Sequence, residues 1–132
     1  MKKLVVIDDD LIDHFLIKHM MRGNEYFETT TYTTYGSLIL DYIEEYCDQP
    51  ERLPDVILLD LNMPVFTGWD FLNRMLEISL AVKKNIKVYV LTSSVITEDA
   101  ERAERYPFVR SVINKPLTPN TIEKITPTHY VE

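Results

Sequence analysis

The sequence has a single cysteine, Cys47, so no disulfide can form within the chain, and a reducing compartment such as the cytoplasm is expected. It has no long hydrophobic run. The basic start Met1-Lys2-Lys3 leads into a short apolar run, Leu4-Val5-Val6-Ile7, which three aspartates stop. That is far short of a secretory core or a membrane span. Positive charge is scarce: 14 Lys and Arg stand against 21 Asp and Glu, a formal net charge of -7. Such a surface repels nucleic acid phosphates and anionic lipid headgroups, so neither direct DNA binding nor membrane attachment is expected. Repeats, linkers and low-complexity stretches are also missing. A length of 132 residues suffices for one domain with a proper core and is too small for two. One domain over 1–132 is expected, with a short polar tail from about 127.

Three apolar runs show no polar alternation: residues 4–7, Val56-Ile57-Leu58-Leu59 and Val88-Tyr89-Val90-Leu91. Such runs suit strands covered on both faces, as in a parallel sheet between helices. Elsewhere apolar residues recur at helical spacing. Leu11, Ile12, Phe15, Leu16 and Met20 make one stripe, ending near Gly23. Leu38, Ile39, Tyr42, Ile43 and Tyr46 make a second, and Phe71, Leu72, Met75, Leu76 and Leu80 a third. A Thr- and Tyr-rich stretch over 28–34 predicts an edge strand and 109–114 a last strand. A charged helix is expected over about 97–105, with Pro107 fixing the turn after it, and a short final helix over 119–125. Residues 48–54 read as a polar loop closed by Pro54. Strand and helix thus alternate five times, which predicts a doubly wound α/β domain. Right-handed crossovers and the polar second strand at an edge point to a flavodoxin-like five-stranded parallel sheet of order 2-1-3-4-5.

In such a sheet ligands bind outside the carboxyl ends of the strands. The first strand ends in Asp8-Asp9-Asp10, the third in Asp60, the fourth in Thr92-Ser93-Ser94 and the fifth in Asn114-Lys115-Pro116. Carboxylates crowded on one rim resist full ionisation, and a hard cation cancels their repulsion. Mg²⁺ suits such a site because it accepts one or two carboxylates and a phosphate while keeping several waters. An Asp carboxylate can attack phosphorus to give an aspartyl-phosphate, with the metal, an ammonium and a hydroxyl stabilising the transferred charge.

Asp8-Asp9, Leu59-Asp60-Leu61-Asn62-Met63-Pro64, Gly68, Leu91-Thr92-Ser93 and Lys115-Pro116 together resemble the signature of response-regulator receiver domains. The resemblance covers essentially the whole chain. It implies a stand-alone, chemotaxis-response-regulator-like module of a two-component phosphorelay. Asp60 would accept a phosphoryl group from a sensor histidine kinase or a histidine phosphotransfer protein, and the signal would pass to a downstream protein that the sequence does not name. The implied cofactor is Mg²⁺, bound directly by Asp9, through water by Asp8, by Asp60 and by the backbone carbonyl of Asn62. Thr92 and Lys115 would bind phosphate oxygens, across a cis Lys115-Pro116 peptide. Only self-catalysed acceptance and hydrolysis are implied, not enzymatic turnover. Asn62 and Ser94, two residues past the acceptor and the hydroxyl residue, are small and polar, which implies intrinsic hydrolysis of the phosphate.

Other readings compete. Asp8-x-Asp10 after an apolar strand mimics the nucleophile motif of haloacid-dehalogenase-type phosphatases, although Leu11-Ile12 replaces its hydroxyl-bearing position. A non-phosphorylated interaction module is the third class, and such modules commonly lack part of the acidic set. Asp10 reads better as a helix cap than as a ligand. Gly68 is expected to serve a backbone turn. His14 and His19 are five apart and share no face, and His129 falls in the tail, so all three are expected to be structural or exposed. Trp69, Tyr42 and Tyr46 are expected to pack helices. The chain also departs from the receiver pattern: three residues before the lysine, where Tyr or Phe is usual, it has Val112.

Overall fold

The computed structural model describes residues 2–93 and 96–126. The expected polar tail, with His129, and Ser94 lie outside the described residues. Five strands and five helices alternate: β1 (Lys2–Ile7), α1 (Leu11–Met20), β2 (Phe27–Thr33), α2 (Gly36–Glu45), β3 (Val56–Asp60), α3 (Gly68–Ile78), β4 (Lys87–Thr92), α4 (Thr97–Glu104), β5 (Val109–Asn114) and α5 (Pro119–Ile125). All pairings are parallel and the order is β2-β1-β3-β4-β5, the flavodoxin-like order expected. The polar strand, β2, lies at an edge. The loop over 48–54 holds one turn of 3₁₀ helix, Pro50–Arg52, opened by its proline.

Alternate residues of the central strands point to opposite faces, so each strand serves two cores. Val5, Ile7, Ile57, Leu59, Val88 and Val90 pack with Leu40 and Ile43 of α2, Phe71, Leu72 and Met75 of α3 and Ala103 of α4. Leu4, Val6, Val56, Leu58, Leu91 and Ile113 pack with Ile17 of α1 and with Ile122 and Ile125 of α5. Burial on both sides is why these strands carry unbroken apolar runs. Trp69 packs between helices as expected, with the Arg102 guanidinium of α4 3.9 Å from its ring centroid. Tyr42 and Tyr46, at the end of α2, meet at a tilt of 56° with ring centroids 4.7 Å apart.

The apolar stripes fare unevenly. In α3, Phe71, Leu72 and Met75 are buried, whereas Leu76 is largely exposed and Leu80 lies fully exposed beyond the helix end. In α2, Ile43 is buried and Ile39 and Tyr46 pack at the margin, but Leu38 and Tyr42 point outward and Leu40 takes the central place. In α1 the expectation holds only in part: Leu16 and Met20 of the stripe pack at the margin of the core, but its other three residues do not. Leu11, Ile12 and Phe15 are 68%, 68% and 69% exposed, while Asp13, His14 and Ile17 are buried. The two triads have the same spacing and are offset by two residues, about 200° around a helix, so they occupy nearly opposite faces. Hydrogen bonds hold the entry into the helix. The Asp10 N–H donates to Asp8 Oδ1 at 2.9 Å, and the Ile12 N–H donates to Asp10 Oδ1 at 2.9 Å, which makes Asp10 the N-cap expected of it. His14 Nε2 then meets the backbone carbonyl of Asp8 at 2.7 Å.

Gly68 opens α3 for a reason other than turn geometry. A Cβ there would lie 2.5 Å from Leu61 Cα and 2.8 Å from the Asp60 carbonyl oxygen, so only glycine lets α3 start this close to the end of β3. Just before it, Val65 is held at φ 63° and is fully exposed, a strained conformation for a β-branched residue. The capping box of Thr67 and Asp70 then starts the helix, each side chain accepting from the other's backbone N–H.

Candidate functional site

Parallel strands bring their carboxyl ends to one rim. Asp8 follows β1, Asp60 and Thr92 end β3 and β4, and Lys115 follows β5. An open cleft of about 600 Å³ on this rim is lined by Asp9, Asp10, Asp60, Asn62, Ser93 and Lys115, together with Leu11 and Asp13 of α1. Asp8, Asp9 and Asp60 each offer a carboxylate oxygen within 4.8 Å of the other two. Asp8 and Asp60 are buried and Asp9 is exposed.

The backbone fixes the two buried carboxylates. Asp8 Oδ1 accepts from the Asp10 N–H, and Asp60 Oδ1 accepts from the Asn62 N–H at 3.0 Å. Asp8 Oδ2 is buried and accepts no hydrogen bond. Burial above all, and then the neighbouring carboxylates of Asp13 and Asp60, pushes the Asp8 carboxyl up to about 8. Asp9 is raised too, by desolvation and by Asp60. A buried oxygen without a hydrogen bond, among carboxyls that resist ionisation, is what a hard divalent cation relieves, so the donor set fits Mg²⁺.

Lys115 is the first residue of a cis peptide, Lys115-Pro116, as expected. Its N–H donates to the carbonyl oxygen of buried Thr92 at 2.9 Å, which pins the lysine backbone to the end of β4. Its ammonium lies 3.5 Å from Asp8 Oδ2 and 3.5 Å from Asp60 Oδ2. The tightest contact is another one: 2.7 Å to Asp13 Oδ2. Burial disfavours the lysine's charge, but the hydrogen bond to Asp13 and the charges of Asp60 and Asp8 outweigh it and raise its pKa. Burial likewise opposes ionisation of Asp13, and the lysine overcomes it, holding that carboxyl below its ordinary value. Asn62 Oδ1 accepts from both the N–H and the hydroxyl of Ser93, at 3.2 Å each, tying the loop after β3 to the loop after β4.

The expected residues Asp8, Asp9, Asp60, Asn62, Thr92 and Lys115 therefore converge on one rim. Asp13 is the residue the sequence reading missed, because the stripe of Leu11, Ile12 and Phe15 claimed the inner face of α1. Its signal was a second triad at the same spacing, Asp13, His14 and Ile17, with the acid three residues past the last strand-end aspartate. His14 is buried and structural. The phosphatase reading loses its second acid, since Asp10 is spent on capping α1.

Comparisons with known proteins agree with this arrangement. The model of the response regulator receiver domain matches residues 4–126. A protein-glutamate methylesterase/protein-glutamine glutaminase 3 of Burkholderia thailandensis is 30% identical over 98 residues, 74% of this chain. The chain spans 24% of that protein's length. A two-component response regulator from Cytophaga hutchinsonii superposes with a TM-score of 0.80 at 28% identity, over 95% of this chain and 93% of the other. The phosphorylated cyanobacterial phytochrome response regulator RcpA does so with a TM-score of 0.70 at 26% identity, over 94% and 87%. This chain belongs to the response regulator receiver domain family.

Proposed function

We propose that the chain works as the phosphoacceptor of a two-component phosphorelay, with Asp60 as the residue that carries the phosphoryl group. One observation carries the reading: Asp60 lines the cleft with a lysine ammonium 3.5 Å from its Oδ2 and two further carboxylates gathered around it. An Asp60 oxygen attacks phosphorus of a phosphohistidine, the P–N bond breaks, and the departing imidazole takes up a proton. The Asn62 N–H, donating to Asp60 Oδ1, leaves Oδ2 as the attacking oxygen and orients it. Lys115 meets charge on the incoming phosphoryl oxygens, and Thr92, at the end of β4, offers its hydroxyl beside it. Asp8, Asp9, Asp60 and the Asn62 carbonyl would hold Mg²⁺, which when bound neutralises the charge of the carboxylates and the phosphoryl group. Asp60 turns over no substrate in this scheme beyond loss of its own phosphate to water.

The donor is a protein, a sensor histidine kinase or a histidine phosphotransfer protein. In support, α1 presents Leu11, Ile12 and Phe15 to solvent beside the cleft mouth, and Leu11 lines the cleft itself. An apolar helix face next to the acceptor suits a second helix docking against it.

Incubation with acetyl phosphate and Mg²⁺ adds one phosphoryl group, labile to base and hydroxylamine, detected by intact-mass spectrometry. Asp60→Asn abolishes it. Equal labelling of the variant under native conditions assigns the acceptor elsewhere.

A further inference from the structure

The acceptor reading leaves one strong contact without a role. Lys115 reaches toward three carboxylates, yet its Nζ is 2.7 Å from Asp13 and 3.5 Å from both Asp8 and Asp60. Only the contact to Asp13 is a hydrogen bond. The two residues are 102 apart in sequence, so the pair ties the first turn of α1 to the end of β5. Asp13 is held just as firmly, on the buried face of α1 next to His14, whose ring nitrogen is fixed to the Asp8 carbonyl.

A lysine that is to meet a phosphoryl group on Asp60 must turn its charge toward that group. Resting on the acceptor reading of Asp60, we infer that Asp13 is a positioning residue that holds Lys115 in reserve and competes with the phosphoryl group for its ammonium. In the resting protein the Asp13–Lys115 pair is neutral as a unit. This keeps the lysine's charge from opposing a cation among Asp8, Asp9 and Asp60. When an anion arrives on Asp60 the lysine exchanges one carboxylate oxygen for phosphoryl oxygens, and Asp13 loses its partner. Asp13 thereby sets two affinities in opposite directions: it favours the cation and opposes the anion.

That opposition gives a signature that damage to the helix cannot imitate. Wild-type protein is first titrated with Mg²⁺ alone, then with beryllium fluoride at saturating Mg²⁺, following amide NMR signals near Asp60. Asp13→Asn keeps the shape and removes the charge. It tightens beryllium fluoride binding about tenfold, as loss of a competing charge-assisted hydrogen bond of about 1.4 kcal/mol allows, and weakens Mg²⁺ binding about threefold or more. Asp13→Ser, smaller and also neutral, moves both affinities the same way and serves if the amide is not tolerated. Both affinities falling together shows a first turn merely disturbed and overturns the inference. So does either affinity staying within twofold of wild type. Wild-type protein that takes up no beryllium fluoride, or an Asp60→Asn variant that takes it up equally, removes the acceptor reading itself and the competition with it.

Discussion

Helices α1 and α3 stand in equivalent places, each following a central strand that ends at an aspartate, yet they present opposite faces to the sheet. α3 buries its aromatic and aliphatic stripe, and Phe71, Leu72 and Met75 vanish into the core. α1 turns Leu11, Ile12 and Phe15 outward, keeps Leu16 and Met20 at the core margin, and buries an acid and an imidazole, with Ile17 as its one wholly buried apolar anchor. The difference lies in what each inner face serves. α3 begins after a loop of seven residues, with a capping box and a glycine that allows close approach, and its apolar stripe packs inward. α1 begins after a loop of only three residues, held by the hydrogen bonds to Asp8 and Asp10, and its inner face carries Asp13 to Lys115. A helix built close to the rim exchanges burial of apolar area for the placement of Asp13 and leaves Leu11, Ile12 and Phe15 exposed.

The largest way to break this comparison is to truncate the same residue type on both helices. Phe71→Ala removes a ring with no exposure and costs about 3–5 kcal/mol of unfolding free energy, by lost transfer and the cavity left behind. Phe15→Ala, on a ring 69% exposed, changes stability by less than about 0.5 kcal/mol. Chemical denaturation measures both. The same Phe15→Ala slows phosphoryl uptake from a protein donor and leaves uptake from acetyl phosphate unchanged. A destabilisation by Phe15→Ala near that of Phe71→Ala means that the α1 stripe is core after all.

The strands were readable because burial on both faces writes a continuous apolar run, and β1, β3 and β4 each hold one. β5 and α5 follow the expected bounds, 109–114 and 119–125, because Pro107, Pro116 and Pro119 punctuate them. The rim residues were readable because every strand of a parallel sheet delivers its last side chains to the same edge. Helix phase was not. Leu11, Ile12 and Phe15 and the triad Asp13, His14 and Ile17 satisfy the same periodicity, and apolarity favours the wrong one. The inner triad is marked by a contact that no local pattern records, the pairing of Asp13 with Lys115 across 102 residues. The reason for Gly68 was hidden likewise, since close approach of α3 to Leu61 leaves no local pattern.

A smaller effect separates the two sides of the sheet by pH. Among the described residues the buried carboxylates are Asp8, Asp13 and Asp60, none of them on α3, and Asp8 on the rim is pushed up to about 8, chiefly by burial. Between its ordinary value of 3.8 and about 8 the folded metal-free protein keeps a proton that the unfolded chain has lost. Stability without metal therefore falls as pH rises through that window. Asp9 shifts in the same direction, while the lowered Asp13 and raised Lys115 act only below and above the window. Because the cation takes the carboxylate form, Mg²⁺ affinity rises with pH from 6 to 8, by up to about tenfold per unit for one displaced proton, and then flattens. Melting curves at pH 6, 7 and 8, with and without millimolar Mg²⁺, check both slopes. Asp8→Asn flattens them, and a metal-induced shift equal at pH 6 and pH 8 contradicts the assignment.

The smallest expected effect concerns the far edge of the sheet. In the receiver pattern an aromatic three residues before the lysine fills space vacated when the hydroxyl residue moves toward the phosphoryl group. Here Val112 occupies that place, half-buried and packed against the core on the side of α3 and α4. A β-branched side chain is stiff about its first torsion and too short to sweep the distance an aromatic ring covers. The phosphoryl group still adds charge and acceptor oxygens beside Thr92, so the pull on that hydroxyl remains. What is lost is the follower, and a ligand shifts an equilibrium only by its differential stabilisation of the two states. The strand-β5 response should therefore be weak, whereas α1, tied to the site through Asp13 and Lys115, should respond directly. With beryllium fluoride as the phosphoryl mimic, amide NMR shifts should concentrate near Asp60, Thr92, the loop to Thr97 and the first turn of α1. Those around Val112 and α5 should be modest, and Val112→Tyr should enlarge them. Shifts across β5 and α5 as large as those beside Asp60 in the natural sequence would show that the valine does not limit the switch.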